Sequence, residues 1–134
     1  MRKIAAAFFG IFIIFFAFPV LSSGLRDSYR DIPEPRLLYP VTDEIVLRGE
    51  PFLEFKWMNN YSNQIEYYEL RLYKGYNMYA SGLLLKERIP YPGHSFKVAS
   101  DFFESGQVYT WSLIQVKTDG LKSDRSFNSF KVIK

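Results

Sequence analysis

Hydrophobic and polar positions alternate along most of this chain, in short runs divided by turn residues. In "FLEFKW" (52–57), Leu53, Phe55 and Trp57 fall on one face of an extended strand, with Glu54 and Lys56 on the other. In "YYELRLY" (67–73), Tyr68, Leu70 and Leu72 share one face, opposite Tyr67, Glu69, Arg71 and Tyr73. A period of two with one wet face is the pattern of antiparallel sheets packed on one side. "MNNYSNQ" (58–64) reads as a loop, and Lys74-Gly75-Tyr76-Asn77 as a turn into a strand around Met78 to Leu85. Pro90, Pro92 and Gly93 break the chain before "SFKV" (95–98). Gln107 to Lys117 is the longest run; Asp119-Gly120 turns it, and "SFNSFKVI" (126–133) closes the series. Helical periodicity is missing after the N-terminal stretch. About seven strands in roughly 100 residues predict an all-β, seven-stranded antiparallel two-sheet sandwich.

The N-terminus follows a different pattern. Met1-Arg2-Lys3 is cationic, Ile4 to Leu21 carries no charge, and Ser22-Ser23-Gly24 are small. That is the layout of a helical secretory signal, with Pro19 placed to end the helix before the cut. An uncleaved anchor is the alternative, since the apolar run reaches the lower end of spanning length. Residues 1–24 are therefore expected to direct export to the periplasm or outside the cell, 25–34 to form a polar tether, and 35–134 to form the sandwich.

Composition changes this picture in two respects. The formal charge of +3 rests on 17 basic and 14 acidic residues, so loss of Arg2 and Lys3 leaves +1. A nucleic-acid partner thereby loses its electrostatic support. The chain has no cysteine, so no disulfide supports the domain, and the core must be apolar enough alone. Six of the 13 Phe lie in the N-terminal stretch, so the core is expected to lean on Tyr, Trp and Leu.

The stretch Phe103-Glu104-Ser105-Gly106-Gln107-Val108-Tyr109 resembles the corner before strand F of fibronectin type III domains. A large apolar residue, a turn glycine and a tyrosine recur there at this spacing, and the resemblance implies that the tyrosine hydroxyl bonds back to the corner backbone. Other segments fall in family order. Pro35 to Pro40 resembles strand A, Leu53-x-Phe55-x-Trp57 strand B, and Tyr68-x-Leu70-x-Leu72 strand C. Tyr109-x-Trp111-x-Leu113 resembles strand F, in the form common among exported bacterial members, and Ser126 to Ile133 resembles strand G. The resemblance to this fibronectin type III, immunoglobulin-like class covers about 35–134 and implies a core of these residues. Gln115 departs from it, standing where another small or apolar inward residue is usual, and the proline-rich 82–94 segment fits its pattern least well.

Chemistry is hard to assemble from what remains. The single histidine, His94, lies beside Ser95 in a Pro-Gly turn, and strand neighbours point to opposite faces. One histidine and no cysteine are too few ligands for structural zinc. Asp43-Glu44 and Asp101 to Glu104 lack the dense spacing of a calcium loop. Glu54 and Glu69 belong to the outer faces of opposite sheets, so they are expected to point apart rather than across a cleft. Arg48-Gly49-Glu50 has Glu where an integrin-type tripeptide needs Asp, and Asn60-Tyr61-Ser62 is a formal glycosylation sequon. The expectation is a chain with no catalytic residue, no metal and no cofactor.

Tyrosine placement is the feature left over. Tyr61, Tyr67, Tyr73, Tyr76 and Tyr79 gather on the outward side of the 67–73 strand and its flanking loops. With Arg71, Ile114 and Val116 they are expected to form an exposed, half-apolar face. Aromatic and Arg enrichment is how interface cores are composed. The resulting expectation is an exported, non-enzymatic module that binds or scaffolds a protein of the cell envelope or exterior. Contact with the membrane would come only through an uncleaved N-terminus. The alternative is a polysaccharide ligand stacked on the exposed tyrosines.

Overall fold

The computed structural model describes residues 32–59 and 64–134. The signal, residues 25–31 of the expected tether, Tyr61 and the sequon lie outside the described residues. Residues 33–134 form a compact unit that holds every strand described below.

Eight strands follow one another: β1 Arg36–Tyr39, β2 Glu44–Val46, β3 Phe52–Met58, β4 Ile65–Lys74, β5 Leu83–Pro90, β6 Ser95–Ala99, β7 Val108–Lys117 and β8 Ser126–Ile133. One sheet has the order β1-β3-β6 and the other β2-β8-β7-β4-β5. The sequence predicts seven strands. The eighth arises because the first is split: β1 pairs with β3, the chain crosses at Pro40, and β2 joins β8 in the other sheet. The β2–β8 ladder is parallel, so the antiparallel expectation also fails there.

The crossing is pinned from the core. Trp111 Nε1 donates to the Pro40 carbonyl at 2.9 Å, and Asn128 Nδ2 donates to the carbonyls of Pro40 and Thr42 at 3.1 and 3.2 Å. A buried indole N–H needs such an acceptor, and a crossing carbonyl needs such a donor. Gln115 has a related task. It is buried, and its side-chain amide donates to the Pro33 carbonyl, while the Ser126 hydroxyl donates to Pro35. The polar residue that departs from the family pattern therefore ties down the approach to β1.

Between the sheets, Leu53, Phe55 and Trp57 of β3 meet Tyr68, Leu70 and Leu72 of β4 and Tyr109, Trp111 and Leu113 of β7. All nine are buried. The register explains why, since Leu70 pairs with Leu113 and Leu72 with Trp111, so inward residues meet inward residues. The Phe55 and Trp111 ring centroids are 4.9 Å apart, and those of Trp57 and Tyr68 5.5 Å. Each such side chain contributes about 1.5–3 kcal/mol by leaving water.

At the corner before β7, Gly106 has φ +85°, where an L side chain would be strained. The Tyr109 hydroxyl accepts the Glu104 N–H at 2.8 Å, and its ring meets the buried Phe103 edge-on at 5.0 Å.

The strand expected near 78–85 lies later. A short 3-10 turn occupies Ala80–Gly82, and β5 runs from Leu83 to Pro90, overlapping the expected strand only at 83–85. Pairing decides this, because Leu85 opposite Leu72 and Ile89 opposite Tyr68 put the apolar residues of β5 over the core. Pro90 is tolerated because β5 is an edge strand and Pro90 is its last residue.

Candidate functional site

The outer face of β4 and β7 differs from the exposed surface that the alternation predicts. Tyr73 is 2% exposed, and Ile114 and Val116 are buried, as are Glu69, Thr110 and Ser112 around them. Tyr67 and Arg71 are half-buried. Polar contacts tie this face together. Glu69 accepts ion pairs from Arg71 at 3.6 Å and Lys86 at 3.3 Å, and the Arg88 guanidinium lies 4.7 Å from the centre of the Tyr67 ring. The Arg71 guanidinium is held above its ordinary pKa, first by its hydrogen bond to Tyr73 and then by attraction to Glu69, against the opposing effect of burial. Side chains expected to meet a partner are thus engaged with one another. Tyr76 and Tyr79 are 72% and 68% exposed, but they stand in the β4–β5 connection and not on the sheet.

The open apolar surface lies elsewhere, on the outer side of the three-stranded sheet and along the crossing from β1 to β2. Leu38, Tyr39, Val41, Val46, Phe52 and Met58 are all exposed. Tyr39, Val46 and Phe52 border a cleft of about 450 Å³, completed on its charged side by Glu50, Glu54, Lys56 and Lys97. Lys97 Nζ lies 5.7 Å from the Phe52 ring centre, and Lys56 pairs with Glu54 at 3.4 Å. The signal for this surface is in the sequence. Phe52 and Met58 have the same strand parity as Glu54 and Lys56, so an outward face carrying two charges also carries two large apolar ends. Reading only the charges made that face look wet.

His94 is exposed, and it is the His94 backbone carbonyl that matters, accepting the Trp57 N–H at 3.1 Å. Glu54 and Glu69 stand on the outer faces of different sheets. No group of three or more His, Asp or Glu side chains is arranged to hold a metal ion among the described residues.

No family model matches the sequence, and no curated protein matches it. Solved structures do match in shape. Chicken CNTN1 FN1-FN3 domains align with a TM-score of 0.54 at 13% identity, over 75% of this chain and 32% of that one. The Clostridium perfringens spore cortex lytic enzyme SleM aligns with a TM-score of 0.51 at 11% identity, over 75% of this chain and 28% of that one. The chain thus spans about a third or less of either structure, and at such identities the likeness is one of fold. Strand order, corner and structural neighbours together give a fibronectin type III-like β-sandwich.

Proposed function

We propose that this chain is an exported, non-enzymatic β-sandwich module that docks on another protein at the cell envelope or outside the cell. Export rests on the Met1–Gly24 pattern, and mass spectrometry of the mature N-terminus tests it: cleavage near Gly24–Leu25 or an intact anchor fits, and retention in the cytoplasm contradicts it. The observation that carries docking is the exposed apolar set around the β1–β2 crossing, in particular Tyr39, Val46 and Phe52 at one cleft. Aliphatic side chains beside aromatic rings suit a protein partner better than a flat sugar ring.

The likeness to SleM supports no enzymatic reading, because it covers 28% of that chain and concerns fold alone. A photo-crosslinking residue at position 52, in the full chain in its own cells, tests the docking surface. One dominant crosslinked protein is expected, lost when Val46→Ser is added. Absence of any adduct, or adducts unaffected by Val46→Ser, contradicts the reading.

A further inference from the structure

A second groove flanks the same crossing. It holds about 350 Å³ and is lined by Asp43, Tyr76, Phe127, Asn128, Ser129 and Phe130. Two of its walls are aromatic rings largely in water, since Tyr76 is 72% and Phe127 60% exposed. Both come from positions that packing does not require, one in the β4–β5 connection and one on β8.

The polar side chains of the groove have a property that follows from counting protons. Thr110 is buried and its hydroxyl donates to the Gly75 carbonyl at 2.7 Å. A hydroxyl has one proton to give, so the 2.6 Å contact between Thr110 and Ser129 uses the proton of Ser129. Ser129 Oγ is left with lone pairs only. Asn128 directs its amide hydrogens to Pro40 and Thr42, which leaves its Oδ1 as an acceptor. The Asp43 carboxylate accepts only, and no ion pair to it forms among the described residues. Lys131 of β8 pairs in register with Glu44 and does not line the groove. Apart from the Tyr76 hydroxyl, which can donate or accept, the polar side chains here can only accept.

We infer that this groove binds a cationic side chain, a guanidinium or primary ammonium, presented by the partner protein. A ligand rich in N–H donors meets the acceptors, a positive charge meets Asp43, and the faces of Tyr76 and Phe127 attract a cation through their ring quadrupoles. An anion would find one hydroxyl donor at most among these side chains. The inference rests on the docking reading only for the source of the cation. Asp43 lines this groove and Tyr39 and Val46 line the apolar cleft, so both draw on the β1–β2 crossing.

The test titrates the full chain with N-acetyl-arginine amide, followed by amide NMR shifts. N-acetyl-citrulline amide serves as the uncharged isostere, and chito-oligosaccharide as the neutral polyol. Arginine amide is expected to shift Asp43, Tyr76 and Phe127 to Ser129, with citrulline amide doing much less. Asp43→Asn, which keeps shape, should remove that preference, and Tyr76→Ala should weaken binding about two- to fivefold. No shift at the groove, equal shifts from citrulline amide, or shifts from the oligosaccharide alone overturn the inference. Arginine amide binding without a crosslink at position 52 would retain the groove and remove the docking surface; the reverse pair of results would do the opposite.

Discussion

The two outward faces of this sandwich have similar alternation and opposite fates. On β4 and β7 the outward row includes Tyr73, Ile114 and Val116, all buried, with Glu69 held between Arg71 and Lys86. On β3 the outward row is Phe52, Glu54, Lys56 and Met58, and both apolar ends are exposed. Alternation therefore reports which residues share a face, and nothing about whether that face meets water. What separates the two is how the charges are used. On β4 Glu69 takes Arg71 from its own strand and Lys86 from β5, whereas on β3 Glu54 pairs with Lys56 alone, between the exposed Phe52 and Met58.

The sharpest way to break this comparison is Tyr73→Ala. Loss of a large buried ring is expected to cost about 3–5 kcal/mol in urea unfolding. A cost near zero would mean that the face is open. Glu69→Ala should rank next. It leaves Arg71 and Lys86 without their common anion, but both keep partial contact with solvent, so about 1–2 kcal/mol is expected. Tyr109→Phe leaves the Glu104 N–H without its acceptor and should cost about 1 kcal/mol, read from the same curves. Phe52→Ser is expected to change stability by no more than about 0.5 kcal/mol, read from the same curves. Comparable losses for Phe52→Ser and Tyr73→Ala would erase the distinction between the faces.

The inward half of the structure was legible because burial and period two coincide there. Leu53, Phe55, Trp57, Leu70 and Trp111 announce themselves by parity, and the corner by the spacing of Phe103, Gly106 and Tyr109. The split of the first strand was not legible. It depends on Trp111 and Asn128 capturing the Pro40 carbonyl from more than 70 residues away, and no local pattern carries that contact. The place of β5 is hidden for a similar reason, since Pro90 and Pro92 signal a break locally while Leu85 and Ile89 pair over the core. The apolar cleft was half legible: Phe52 and Met58 share a parity with two charges, but the approach of Tyr39 and Val46 follows from the crossing.

Hydroxyl-radical footprinting of the intact folded chain tests the central contrast most directly, because it compares tyrosines of equal intrinsic reactivity. The account predicts rapid modification of Tyr76 and Tyr79, intermediate modification of Tyr39, and protection of Tyr73 to the level of the core Tyr109. Modification of Tyr73 as fast as that of Tyr76 would contradict it.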